Sequence, residues 1–207
     1  MNPRLRLLPA SPPLRWAGVV LLGAWAVSVV RDPDGWRFID GVNLLLHEAG
    51  HPLFSFFGEF AMVAGGTLMQ LLFPLAFVVY FHRSRQPFGA AVSLAWLGES
   101  LFNVARYAAD ARARVLPLLG GDEVGHDWVY MLGHLGMLHR DLSVAHGIRV
   151  AGGLVLLASV AWAVKAALAP AAPSARAADP LLAENESLAR YLAERAGGEG
   201  PPAGPPR

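Results

Sequence analysis

The sequence contains no cysteine. This absence excludes a disulfide framework, a thiolate nucleophile and any metal site built on cysteine sulfur. A metal ion bound by this chain must therefore rest on histidine nitrogens and carboxylate oxygens.

Charge is also scarce, and its two signs nearly cancel. Charged residues make up 16% of the 207 residues and leave a formal net charge of +1. Because there is no basic surplus, no nucleic-acid partner is expected. The hydrophobic content of 54% is too high for an ordinary soluble domain of this length and is typical of a small multi-span membrane protein.

Apolar segments separated by short polar turns predict an all-α, polytopic membrane helical bundle of about five to six helices. Residues 1–15 are expected to form a leader, residues 16–169 the transmembrane domain, and residues 170–207 a disordered tail with room for a short surface helix at 180–195. The predicted helical segments are 16–30, 36–57, 67–81, 88–105, 128–138 and 148–168, with an interruption at 58–66.

The first apolar segment can be interpreted as a signal peptide or as a retained span. We favour the retained span, because with its flanks it nearly reaches the roughly 20 residues that cross a bilayer. The Ala/Gly/Pro/Arg-rich composition favours a bacterial source. Together these features predict an integral protein of the bacterial inner membrane, surrounded by the lipid bilayer.

The most informative stretch is His47-Glu48-Ala49-Gly50-His51, which lies inside an apolar run. On a helix His47 and His51 are one turn apart on the same face, so their two imidazoles can bind one ion. Glu48 beside them can hold a water molecule against that ion and remove its proton. The pattern predicts a Zn²⁺ site with two histidine ligands and Glu48 as the general base of a hydrolase.

The motif extends a polar stripe that begins at Asp40 and Asn43. Since ionisable groups that face lipid are costly, the stripe must face protein or a water-filled cavity. Glu99 and Asn103, one turn apart in a later span, either orient the imidazoles or make interhelical hydrogen bonds. The polar residues expected to surround the site or contact a substrate are Asn43, Gln70, Glu99 and Asn103.

The third metal ligand is expected from a glycine-rich loop at 117–127, which ends in His126-Asp127. A catalytic zinc ion usually takes three protein ligands and a water molecule, and the motif supplies only two. Either His126 or Asp127 can complete the set, with the other orienting a ligand. Alternatively Asp127 caps the following helix and His126 is an ordinary loop residue. Of the scattered later histidines, only His134 is expected to face inward.

These features resemble the site-2 protease family of intramembrane zinc metalloproteases. The resemblance rests on the intramembrane His47–His51 motif, on a following span with Gly66 and Gln70, and on a later helix start that bears Asp127. It implies that the two histidines and Asp127 bind zinc, and that Glu48 activates water. It further implies a divergent relative of the family that cleaves membrane protein or peptide substrates.

Two other classes of protein share part of the pattern. In a non-enzymatic integral membrane protein, the motif serves only metal binding or helix packing. A di-iron membrane oxygenase also uses intramembrane histidine pairs, but it needs many more histidine-rich segments than this chain has. The sequence alone identifies neither a substrate nor an oligomeric state, and the arginine distribution only weakly favours a cytoplasmic N-terminus.

Overall fold

The computed structural model describes residues 12–117, 119, 125–169, 185, 188–191 and 194. The predicted leader up to residue 11 and most of the predicted tail, including much of its surface helix, lie outside the described residues. Residues 13–169 form one compact unit. Within the described residues every regular element is a helix, which confirms the predicted all-α class. The helices are α1 (Pro12–Arg31), α2 (Phe38–Phe54), α3 (Glu59–Arg83), α4 (Pro87–Ala109), α5 (Asp127–His134) and α6 (Asp141–Leu168), with short 3-10 turns at Ser55–Phe57 and Leu138–Arg140.

Four of these helices, α1, α3, α4 and α6 with its preceding turn, are long and apolar enough to cross a membrane. Their outward faces expose large apolar side chains, such as Leu21 at 71% and Leu157 at 67%. Water would penalise such surfaces, whereas lipid tails solvate them. The chain therefore has the architecture of a membrane protein.

The helix that carries the motif, α2, is shorter than the predicted span at 36–57. It has 17 residues and is not among the four helices long enough to cross a bilayer. At its start the backbone N–H of Arg37 donates to Asp40 Oδ2 at 2.5 Å, which caps the first turn. Near its end Pro52 lacks the N–H needed to continue the hydrogen-bond ladder, and α2 stops at Phe54.

The predicted interruption at 58–66 is wrong. Helix α3 is continuous from Glu59, and only Gly58, with a φ of 96°, separates it from the preceding 3-10 turn. Gly65 lies inside α3 against Gly50 of α2, where a Cβ on either glycine would collide with the other's backbone. Small residues let two helix backbones approach closely in membrane proteins. The glycines therefore dock α2 onto α3 instead of ending a helix.

Helices α1, α4 and α6 share the apolar core. Val29, Ala95, Phe102 and Leu156 are among its buried members. Small side chains on α4 bring it close to α6, which packs along it. Helix α3 contacts α4 as well as α2 and α5. It thereby links the apolar core to the two helices that carry the motif and the predicted third ligand.

Candidate metal centre

Helix α2 presents both motif histidines on one face. The ring centroids of His47 and His51 are 4.9 Å apart, with an interplanar angle of 81°. His47 is buried and His51 is half-buried. This arrangement follows from the helical repeat alone, because residues four apart project from successive turns of the same face.

Asp127, the first residue of α5, completes a group of three potential ligands. Its Oδ2 lies 2.7 Å from His47 Nε2 and 3.5 Å from His51 Nε2. One ligand atom from each of the three residues falls within 4.8 Å of the other two. The two histidines lie on α2 and the aspartate on α5, and His47 and Asp127 are 80 residues apart in sequence. A buried His-His-Asp group of this kind can hold a metal ion.

The donor set suits a tetrahedral ion, and one of its two measured spacings agrees with such an ion. Zinc bonds to nitrogen and oxygen are about 2.0–2.2 Å long, so neighbouring ligand atoms lie roughly 3.3 Å apart. The His51–Asp127 distance of 3.5 Å matches this value. The shorter His47–Asp127 contact of 2.7 Å has hydrogen-bond length and must open when an ion enters.

The orientation of His51 also suits metal binding. Its Nδ1 lies 3.0 Å from the backbone carbonyl oxygen of Met62 in α3. Because a carbonyl oxygen can only accept, Nδ1 carries the hydrogen in this contact and Nε2 is left with a free lone pair. Metal-bound histidines are typically held by such a second hydrogen bond.

Gly66 makes room for the other imidazole. A Cβ at this position would lie 2.6 Å from His47 Nε2, well inside van der Waals contact. A larger residue would therefore push the ring away from Asp127. The sequence favoured close helix packing at Gly65-Gly66 or an opened backbone, and the structure shows that Gly66 lets α3 pass beside the candidate ligand His47.

His126 lies outside the ligand group. Its ring stacks on Tyr107, with centroids 4.3 Å apart, and its Nε2 is 3.4 Å from Asp110 Oδ2. Neither ring nitrogen forms a hydrogen bond with any described residue. Burial lowers the pKa of His126, although the nearby Asp110 carboxylate acts in the opposite direction. Of the two alternatives for the third ligand, the structure thus places Asp127 beside the histidine pair.

A separate polar network occupies the N-terminal half of α2. Asn43 is completely buried, and its Nδ2 donates to Glu99 Oε2 at 2.8 Å. Its Oδ1 accepts hydrogen bonds from Trp96 Nε1 at 2.9 Å and from Ser100 Oγ at 3.2 Å. Every one of these partners lies on α4, so the network fastens α2 to α4.

The network continues through the remaining predicted polar residues. Asn103 Nδ2 donates to Asp40 Oδ1 at 2.6 Å, and Gln70 Nε2 donates to Asn103 Oδ1 at 2.8 Å. Glu99 and Asn103 therefore form interhelical hydrogen bonds, and neither is hydrogen-bonded to an imidazole among the described residues. Gln70 and Asn103 nevertheless line the same cavity as the candidate metal group, so substrate contact stays a prediction for these two residues.

That cavity has a volume of about 500 Å³ and opens beside the three ligands. Glu48 lines it, one residue from His47 and on the same helix. His134, expected to face inward, is instead exposed and contacts the rings of Phe60 and Tyr130. The cavity therefore joins a candidate metal group, a carboxylate and space for a ligand.

Tyr107 also lies at the site, although the sequence motif did not predict it. Its hydroxyl accepts a hydrogen bond from the backbone N–H of Asp127 at 3.3 Å, and its ring meets His47 edge-on at 5.7 Å. The only available signal was its position on α4, one turn beyond Asn103.

The fold and site together define a helical membrane protein with a candidate metal centre beside a cavity. No protein-family model matches the chain, and searches of curated proteins and of solved structures also returned no match. The functional argument accordingly rests on the geometry of these side chains.

Proposed function

We propose that the chain is a membrane-embedded zinc metalloprotease that hydrolyses peptide bonds of membrane protein substrates. The observation that carries the proposal is the convergence of His47, His51 and Asp127 beside a cavity that Glu48 also lines. Two imidazoles and a carboxylate form a ligand set used by catalytic zinc sites. A carboxylate next to that set is what a metal-assisted hydrolase requires as its base.

The chain's residues divide the reaction between them. His47, His51 and Asp127 would hold Zn²⁺, which lowers the pKa of water and polarises a carbonyl group when bound. Glu48 takes a proton from the attacking water and passes it to the nitrogen of the departing amine. The cavity beside these residues offers room for water and a peptide bond.

The proposed location and substrates follow from the surroundings of the site. Helices α1, α3, α4 and α6 are each long enough to cross a bilayer, and the Ala/Gly/Pro/Arg-rich composition favours a bacterial source, so the bacterial inner membrane is the proposed location. The site lies on α2 and α5, and both helices pack against the candidate span α3, so a peptide segment that is itself in the membrane can reach it. Membrane proteins are therefore the proposed substrate class.

A second candidate function rests on one specific contact. The 2.7 Å contact between His47 and Asp127 joins α2 to α5 without any ion. Such a pair can serve a non-enzymatic protein in which the motif binds metal or only fastens two helices. Elemental analysis of the purified protein narrows the choice: two irons would support an oxygenase, and no metal would support a role in fastening the helices. One zinc per chain fits both the protease and a non-enzymatic zinc protein, and peptide cleavage by the purified protein then separates these two.

The decisive variant is Glu48→Gln, which removes the base but keeps the side chain's size. We expect peptide cleavage to fall by about 10²–10⁴-fold while zinc content stays the same. Cleavage is measured by mass spectrometry with transmembrane peptides in detergent or liposomes. Glu59→Gln is the matched control, because Glu59 lines the same cavity but lies on α3. Full activity in Glu48→Gln would rule out the proposed mechanism.

A further inference from the structure

We infer that Tyr107 is a catalytic residue whose phenol stabilises the negative charge that develops on the carbonyl oxygen of the peptide bond. The inference deepens the proposed protease function and rests on it. It assigns a role to a residue on α4, a helix that contributes neither ligand nor base. The first support is position, since Tyr107 lines the cavity together with Glu48 and the three ligands.

The hydroxyl of Tyr107 is tied directly to a ligand-bearing residue. It accepts the backbone N–H of Asp127 at 3.3 Å, and Asp127 Oδ2 lies 2.7 Å from His47 Nε2. The phenol oxygen is therefore placed at the edge of the metal group. A substrate carbonyl that approaches the ion also approaches this hydroxyl.

Two imidazoles hold the phenol ring. On one side it packs edge-on against His47, with centroids 5.7 Å apart and an interplanar angle of 73°. On the other it stacks on His126 at 4.3 Å and 29°. A side chain restrained by such contacts is already oriented before a substrate binds. Hydrogen-bond donors that need no reorganisation are the most effective at stabilising a developing charge.

The hydrogen of the Tyr107 hydroxyl is available for donation. A phenol offers one donor and also accepts, and the Asp127 N–H uses the accepting side. The hydroxyl donates to no described residue. Because the side chain lines the cavity, a ligand there can receive the hydrogen. In this arrangement His126 is a positioning residue, because its ring stacks on Tyr107 from outside the ligand group and restrains the phenol ring.

The chemical step balances without a proton leaving Tyr107. The oxygen of water bonds to the carbonyl carbon, and the electron pair of the C=O π bond moves onto the carbonyl oxygen. The phenol O–H stabilises that oxygen through a hydrogen bond and keeps its proton. When the C=O bond re-forms, the C–N bond breaks, and the amine leaves with the proton that Glu48 took from water.

Another phenol in the cavity provides a comparison. Tyr130 also lines it, but its ring stacks on the exposed His134 and packs against Phe60. None of these contacts involves a metal ligand. The variant Tyr130→Phe therefore removes a cavity hydroxyl of the same chemistry without touching the proposed charge-stabilising position.

The test compares Tyr107→Phe with Tyr130→Phe in the full-length, zinc-loaded protein. Phenylalanine keeps the ring contacts, so we expect unchanged zinc content and KM, and a fall in kcat of about 10²-fold or more. A peptide phosphonate, whose tetrahedral anion resembles the charged intermediate, should bind Tyr107→Phe more weakly by a similar factor in calorimetry. Tyr130→Phe should leave zinc content and kcat unchanged, and any effect of this cavity-lining residue is expected in KM.

Each other outcome has a definite meaning. If Tyr107→Phe loses zinc in proportion to activity, its hydroxyl only positions Asp127 and the inference is overturned. Unchanged kcat and phosphonate affinity overturn it as well, while the protease function stands. If the unaltered protein cleaves no peptide, the protease function fails, and the inference fails with it.

A second variant keeps the test valid if Tyr107→Phe does not fold. A ring-fluorinated tyrosine at 107 retains the phenol and its contacts but makes the O–H a stronger donor. We expect unchanged zinc content and tighter phosphonate binding than in the unaltered protein. Phosphonate affinity equal to that of the unaltered protein would contradict the role of the hydroxyl.

Discussion

The two halves of α2 use buried polar side chains in opposite ways. In the N-terminal half, the Asn43 side chain donates to Glu99 and accepts from Trp96 and Ser100. In the C-terminal half, the Nε2 atoms of the motif histidines lie 2.7 and 3.5 Å from the carboxylate oxygen Asp127 Oδ2, beside a cavity. The polar side chain of the first half holds α2 against α4, whereas those of the second half surround space that a ligand could occupy.

The contrast separates polar groups that satisfy one another from polar groups that could hold an ion. Both halves bury groups that lipid would not tolerate. In the Asn43 network the amide and its partners satisfy one another, so an added ligand would gain little there. At the candidate metal group, the Nε2 lone pair of His51 lies close to the Asp127 carboxylate oxygen. A metal cation bound between these two groups would attract both of them. Four predictions test this distinction.

The largest effect is expected from Asp127→Ala, which removes one of the three candidate ligands. We expect loss of stoichiometric zinc and of all peptide cleavage, because two imidazoles alone form an incomplete site. His126→Ala is the matched comparison from the adjacent position and should retain zinc, since its ring faces Tyr107 and Asp110. Elemental analysis measures both. Zinc loss in His126→Ala with retention in Asp127→Ala would reverse the ligand assignment.

Gly66→Ala should damage the C-terminal half of α2 selectively. The added Cβ would lie 2.6 Å from His47 Nε2 and displace the ring. We expect zinc affinity to fall by about 10–100-fold, the range seen when a ligand loses its orienting neighbour. Gly41→Ala, with no atom near its Cβ, is the control on α2. Competition with a zinc chelator gives both affinities, and equal values would refute the steric role of Gly66.

Asn43→Ala should damage the N-terminal half selectively. Glu99, Trp96 and Ser100 each lose their partner, and we expect the free energy of unfolding to fall by about 1–3 kcal/mol. Zinc content should stay the same. Unfolding in mixed detergent micelles measures the change. The control is Thr67→Val, because the buried Thr67 hydroxyl has no hydrogen-bond partner among the described residues. A larger loss in Thr67→Val than in Asn43→Ala would contradict the network's importance.

The smallest effect is expected from a polar contact outside both halves. Asp34 Oδ1 lies 2.6 Å from the Arg149 guanidinium, and the Asp34 side chain is 60% exposed. Asp34→Asn should lower the free energy of unfolding by less than about 1 kcal/mol, because water and salt screen exposed pairs. The same micelle assay applies. A decrease in the free energy of unfolding as large as that of Asn43→Ala would contradict the expectation that buried hydrogen bonds stabilise the protein more than exposed ion pairs.

The sequence by itself determined the features that depend on short spacing and composition. His47 and His51 share a face because the helical repeat brings residues four apart together, whatever the rest of the chain does. The all-helical class follows in the same way from long apolar segments, because a backbone in lipid must satisfy its own hydrogen bonds. The polar stripe from Asp40 to His51 was likewise visible as a period along one helix.

Only the tertiary structure decided which distant groups meet those residues. Asp127, and not the adjacent His126, reaches the histidines because of where α5 docks. Glu99 accepts a hydrogen bond from Asn43, and Tyr107 joins the site, because of how α4 lies against α2 and the start of α5. Such contacts depend on helix packing between residues far apart in the chain. No local periodicity contains that information, so the motif predicted two ligands and a base, while the packing of α4 and α5 placed their partners.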